Sequence, residues 1–277
     1  MSTSKRKKKA GKLRKALPVL VPAMAVILLL ELILLLGNFL SAAPDPTEPD
    51  AGVLESNPYR TEDFEYDNGF LRCTAAEARL GIDVSEHQQV IDWAQVKAAG
   101  VDFTMIRVGY RGYTEGRLFL DNCFKSHLAG AKAAGLDVGV YFFSQAITPE
   151  EARMEAEFLL TILGDQELEM GIAYDWEYVS ADARTGTMDG RAITDCALAF
   201  CDTVSGSGHK AIVYFNQYQA ENDLLLEDLA GYDFWLAMYS DEMTFPHRVD
   251  LWQYTESGKV PGIEGNVDIN LYFPYEE

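Results

Sequence analysis

From Leu80 to Phe273 the sequence returns eight times to an apolar run of strand length: Gly81 to Val84, Thr104 to Gly109, Val138 to Phe143, Gly171 to Tyr174, Ala211 to Phe215, Phe234 to Tyr239, Val249 to Tyr254 and Val267 to Phe273. Several are continuous in Val, Ile, Tyr and Phe, as expected of strands buried on both faces of a parallel sheet. The first five strands start roughly 22 to 40 residues apart, which leaves room for crossover helices; later starts are roughly 16 to 22 apart, which leaves little. The order is therefore five β/α units followed by three strands. Closing eight strands on themselves removes every sheet edge. The spacing thus predicts an α/β fold, a TIM-like barrel of the (β/α)5(β)3 kind, with an open doubly wound sheet as the alternative.

The intervening helices carry their own punctuation. Asp92 with Gln95 reads as a capping box for a helix ending at Gly100, and Thr148-Pro149-Glu150-Glu151 supplies an N-cap, a proline at N1 and an acid at N3. Lys97-Ala98-Ala99-Gly100-Val101-Asp102 and Lys132-Ala133-Ala134-Gly135-Leu136-Asp137 repeat one another. Each reads as a helix end, a glycine that can take positive φ, and the entry to the next strand.

Upstream the chain changes character. Residues 17–40 form a predominantly apolar segment, and twenty residues at about 1.5 Å each span the hydrocarbon core of a bilayer. Residues 1–16 hold eight Lys and Arg, so the positive-inside rule predicts a single-pass anchor with a cytoplasmic N-terminus and everything after Leu40 outside the cell membrane. Ser41-Ala42-Ala43 also resembles a signal-peptide cleavage site, but the apolar run is too long for a typical signal sequence and Pro44 follows the best site, which favours an uncleaved anchor. Residues 41–57, rich in Pro, Asp and Glu, read as an extended linker. Residues 58–79, with Tyr59, Phe64, Tyr66 and Phe70 among acids, read as a segment packed on the domain formed by 80–277.

Charge excludes one class of ligand. The net charge is −20, and because residues 1–40 hold eight bases and one acid (Glu31), the remainder stands at −27. Such a body repels phosphate backbones, so nucleic acid is not an expected partner. No Gly-x-Ser-x-Gly elbow, P-loop or dinucleotide fingerprint occurs, and His87, His127, His209 and His247 lack ligand-like spacing. Neither cofactor nor metal is expected. Cys73, Cys123, Cys196 and Cys201 could form two disulfides, but Cys196 and Cys201 are five apart on one predicted helix, about 140° around its axis, and read better as buried thiols.

In such barrels chemistry sits at the C-terminal rim, and there carboxylates interrupt the strands: Asp83 in the first, Asp175 and Glu177 in the fourth, Asp268 in the last. Residues two apart on a strand share a face, so Asp175 and Glu177 point together while Trp176 points away. Two such carboxyls in a confined pocket cannot both ionise freely, and one is expected to titrate in the range of a general acid. Glycosidic bond cleavage needs this equipment. Tyr110, Tyr141, Tyr214, Tyr239 and Trp252 are candidates to pack on sugar rings, with Asn216 and Gln253 as amide partners. His87 follows the first strand and reads first as an ordinary loop histidine, with a place at the border of the cleft as the alternative.

Gly81-Ile82-Asp83-Val84-Ser85 with His87-Gln88, then Tyr141-Phe142-Phe143, Asp175-Trp176-Glu177, Leu251-Trp252-Gln253-Tyr254 and Val267-Asp268-Ile269-Asn270, in that order, resemble glycoside hydrolase family 25, the Chalaropsis-type lysozymes. The resemblance covers Leu80 to Phe273 and implies the same barrel. It implies hydrolysis of the β-1,4 bond between N-acetylmuramic acid and N-acetylglucosamine in peptidoglycan. It assigns Glu177 as proton donor and Asp175 as nucleophile or as the group that positions the substrate's N-acetyl. Asp83 and Asp268 become cleft acids, and Tyr141 and Trp252 gain weight as sugar contacts. Asp268 lies early in its strand, so it reaches the rim only if that strand runs antiparallel. A non-catalytic peptidoglycan-binding module and a glycosidase of chitin-like chains are the alternatives.

Overall fold

The computed structural model describes residues 52–275. The predicted cytoplasmic tail, the predicted membrane helix at 17–40 and most of the predicted linker lie outside the described residues. Among those described, no helix is long and apolar enough to cross a membrane.

The described chain opens with a hairpin, β1 (Phe64–Asp67) and β2 (Phe70–Cys73). Its two-residue turn, Asn68-Gly69, has φ of 52° and 85°, the left-handed geometry that matches strand twist and suits Asn and Gly. This segment does pack on the domain. The Tyr59 ring lies 4.7 Å from that of Phe273, and the backbone N–H of Leu71 donates to the Tyr254 hydroxyl.

The barrel strands are β3 (Arg79–Val84), β4 (Phe103–Arg111), β6 (Asp137–Ser144), β7 (Gly171–Trp176), β8 (Ala211–Asn216), β9 (Asp233–Ala237), β10 (Leu251–Gly258) and β11 (Val267–Tyr272). A short β5 (Leu118–Leu120) hangs antiparallel on the end of β4. The sequence of neighbours runs β3, β4, β6, β7, β8, β9, β10, β11, and β11 pairs back to β3, which closes the cylinder. All neighbours are parallel except β11, which is antiparallel to both β10 and β3. The eight predicted strands and their closure are therefore present, with ends shifted by a few residues.

The helices are α1 (Trp93–Ala98), α2 (Phe124–Ala133), α3 (Pro149–Leu163), α4 (Gly190–Gly206) and α5 (Gln217–Asn222), one after each of the first five barrel strands. Gly100 and Gly135 follow α1 and α2 with φ of 92° and 74°, as the repeated segments predict. Thr148 caps α3 by accepting from the Glu151 amide. The Asp92 box is half formed. Asp92 accepts from the Gln95 amide, but the Gln95 side chain returns to the Asp92 carboxylate, because the Asp92 N–H is already donated to Gly262 O.

Two apolar layers result. Phe103, Met105, Met170, Ala173, Ile212, Trp235 and Leu251 fill the cylinder, and a larger layer of Val, Ile, Leu and Phe lies between the strands and the helices. Gly81 belongs to the inner layer's geometry, since a Cβ there would stand 2.2 Å from the Phe103 ring. Cys196 and Cys201 are buried thiols, and Cys73 and Cys123 are thiols too. Burial pushes the Cys196 thiol up to about 12.

Candidate active site

Above the inner layer, at the C-terminal ends of the parallel strands, opens a cavity of about 300 Å³. On β7, Tyr174 and Trp176 join the outer layer while Ala173 joins the inner one, so alternation turns Asp175 inward. Glu177, one residue past the strand, lines the same cavity. Asp83 reaches it from β3. Asp268 reaches it because β11 runs antiparallel, which puts its N-terminal end at this rim and Asp268 opposite Asp83 in register. All four carboxyls of the sequence reading thus come together.

Their surroundings separate them. Asp83 Oδ2 accepts from Gln253 Nε2 and Asn270 Nδ2, each at 2.8 Å. Gln253 is held in turn by the hydroxyls of Tyr214 and Tyr239, both donating to its Oε1 at 3.2 Å, and Asn270 Oδ1 accepts from Trp235 Nε1 at 2.8 Å. Burial raises the Asp83 pKa, and the two amide donors oppose the rise. Asp268 is pushed up to about 9, by burial and then by the charge of Asp83. Of the two, Asp268 holds its proton the more tightly.

Asp175 is raised well above the ordinary carboxylate range, first by burial and then by the charge of Glu177. Its Oδ1 has no hydrogen-bond partner. Glu177 is also raised by burial and by Asp83, while its hydrogen bond to Asp175 pulls the other way. Of this pair, Asp175 holds its proton the more tightly.

Tyr141, Tyr214, Tyr239 and Gln253 line the cavity, and so does His87, which is more than a loop residue. Trp252 does not. It is 0% exposed, its ring lies 5.1 Å from Phe64 on the outer side of the barrel, and its Nε1 donates to Met238 O. Its neighbours Leu251 and Gln253 point inward, so Trp252 must point out. Tyr110 is also displaced. A register shift after Arg107 leaves its ring stacked on Phe119 at 5.2 Å, beneath the Arg107 guanidinium and outside the cavity lining. Asn216 caps α5 and borders an adjoining hollow of about 560 Å³ that shares Glu177, Tyr214 and Tyr239 with the first.

Arg107 is absent from the residues predicted for the site. It lines the cavity beside the carboxyls, anchored by Asp121 at 2.8 Å and Glu86 at 3.3 Å, and its charge lowers Asp175. A lone cation inside the apolar run Thr104 to Gly109 was the available signal. Among the described residues, no group of three or more His, Cys, Asp or Glu is placed to hold a metal ion.

Residues 82–263 match the family described as glycosyl hydrolases family 25. The chain is 29% identical over 195 residues to the autolytic lysozyme of Clostridium acetobutylicum, covering 69% of this chain and 55% of that protein. It is 26% identical to lysozyme M1 of Streptomyces globisporus, covering 69% and 67% respectively. Among solved structures, it is similar to the modular autolysin LytC of Streptococcus pneumoniae in complex with a synthetic peptidoglycan ligand: TM-score 0.60, 25% identity, 71% of this chain and 47% of that one. A family 25 glycosyl hydrolase of Bacillus anthracis shares the fold at TM-score 0.58 and 20% identity, over 80% of this chain and 96% of that one. The chain thus spans about half the length of the Clostridium lysozyme and of LytC.

Proposed function

Because the chain belongs to glycosyl hydrolases family 25, we propose that it is a membrane-tethered lysozyme, hydrolysing the β-1,4 bond between N-acetylmuramic acid and N-acetylglucosamine in peptidoglycan. The observation that carries this reading is the carboxyl pair Asp175–Glu177 on the wall of a cavity that also holds Asp83 and Asp268.

Glu177 is the proposed general acid. Asp175 passes its proton to Glu177, and Glu177 delivers that same proton to the glycosidic oxygen as the C–O bond breaks. Asp175 is thereby ionised as positive charge develops on the sugar. It then attacks the anomeric carbon or fixes the N-acetyl group that does so, and its unpartnered Oδ1 is free for either role. The single charge on Asp83, kept in place by Gln253 and Asn270, stabilises the same oxocarbenium-like state from the other side of the mouth. Tyr141, Tyr214 and Tyr239 provide ring faces and hydroxyls for the sugars.

The apolar segment 17–40 is proposed as the anchor, with residues 1–16 cytoplasmic and the barrel outside. At −27 beyond residue 40, the chain gains no electrostatic steering toward an anionic wall, so tethering supplies local concentration. This favours remodelling of the cell's own wall. Unchanged wall processing after loss of residues 1–40 would argue against the tether.

The full chain, incubated with purified peptidoglycan and with chitin oligomers, tests the activity by mass spectrometry of the new reducing ends. Muramic acid ends are expected. Ends from chitin alone would mean a chitin-type glycosidase, and no ends from either would mean a binding module.

A further inference from the structure

Glu177 stands just beyond the sheet: the register of β7 with β8 ends at Asp175 and with β6 at Trp176. Its main chain is nevertheless held on both sides. Gln219 Nε2 donates to Trp176 O at 2.6 Å, and Gln145 Nε2 donates to Glu177 O at 2.8 Å. Those two carbonyls belong to the two peptide planes that meet at the Glu177 Cα. A planar peptide leaves only φ and ψ free at that atom, so fixing both planes fixes the direction of its Cβ.

The two amides come from different parts of the fold, and each is itself held. Gln145 follows β6, is 0% exposed, and accepts from Thr185 Oγ1 at 2.8 Å through its Oε1. Gln219 lies on α5, is 2% exposed, and closes a reciprocal cap with Asn216, accepting from its N–H at 2.7 Å. Neither lines the cavity. A buried amide is costly unless paired, and each gives a donor to a carbonyl flanking one carboxyl, Gln145 Nε2 donating also to Ser144 O at 2.9 Å.

We infer that Gln145 and Gln219 are positioning residues that aim the Glu177 carboxyl across the cleft, acting through its backbone and touching no substrate. This rests on the proposed lysozyme activity.

The test is steady-state kinetics of the full chain on peptidoglycan fragments, comparing wild type with Gln145→Leu, Gln219→Leu and Thr185→Val, alongside circular dichroism and melting curves. Misplacement of an acid by about an ångström costs on the order of 100-fold in rate. Gln145→Leu and Gln219→Leu are expected to lower kcat about 10- to 100-fold with KM within about twofold, and to shift the pH profile of kcat as Glu177 leaves Asp175. Thr185→Val, which removes only the hydroxyl orienting Gln145, should show a smaller loss of the same kind, and it carries the test if a leucine variant does not fold. An active wild type whose variants keep its kcat and pH profile, or lose activity only in proportion to the folded fraction, overturns the inference alone. A wild type that releases no reducing ends removes the lysozyme reading and the inference with it.

Discussion

Asp83 and Asp268 face each other in the antiparallel register that closes the barrel, and the charge of Asp83 adds to burial in pushing the Asp268 carboxyl up to about 9.

That arrangement fixes the sign of a pH effect. Asp268 titrates near 9 when folded and near 3.9 when unfolded, so between those values the folded state holds a proton that the unfolded state has lost. Its contribution to stability is complete below about pH 4 and disappears as the pH rises toward 9. Urea midpoints at pH 5, 7 and 9 should fall with pH in the wild type and fall less in Asp268→Asn. An equal decline in both proteins would contradict the raised Asp268 carboxyl.

Glu177→Gln should lower turnover of peptidoglycan by a factor of about 100 to 10,000, the usual contribution of a general acid. The loss should shrink on an aryl glycoside whose leaving group needs no proton. Melting temperature should hold or rise, because a charge that disfavours Asp175 ionisation has gone. Equal loss on both substrates would move the acid role elsewhere.

Two aromatic residues should behave oppositely. Trp252→Ala removes a fully buried ring and should cost about 3 to 5 kcal/mol of stability while the folded fraction keeps its KM. Tyr239 is 53% exposed on the cavity wall, so Tyr239→Ala should raise KM several-fold with little change in melting temperature. Parallel unfolding and kinetic measurements decide the matter.

Arg111 and Glu155 form an ion pair at 2.6 Å, with side chains 4% and 0% exposed. Ser144 donates to the second Glu155 oxygen. Arg111→Leu strands a buried carboxyl and should destabilise by about 3 to 5 kcal/mol in urea titrations. Arg111→Met combined with Glu155→Leu should recover much of that loss. If the single variant is as stable as wild type, the pair contributes nothing.

Much of this architecture is legible in residue order, for physical reasons. Strands such as Val138 to Phe143 are buried on both faces and so read as unbroken apolar runs, and the carboxylates at their ends interrupt those runs visibly. The early place of Asp268 makes its arrival at the rim conditional on a reversed last strand, and pairing of that strand with the first meets the condition. Trp252 shows where identity misleads. Trp252 and Gln253 cannot both face the cavity, because adjacent strand residues point to opposite sides, and the amide that reaches Asp83 settles which one does. Asn68-Gly69 carries a local turn signal for the β1–β2 hairpin, which the reading of 58–79 simply as a packed segment passes over. The grip of Gln145 and Gln219 on the backbone around Glu177 has no counterpart in spacing or composition, since it depends on loops brought together only by folding.

The two amides that steady Asp83 come from 170 and 187 positions further along the chain. While a ribosome is still at work, the first strand's carboxylate has neither of them, and Asp268 does not yet exist. The mouth can be completed only when the last strand slots in beside the first. Completion of the mouth thus waits on completion of the chain.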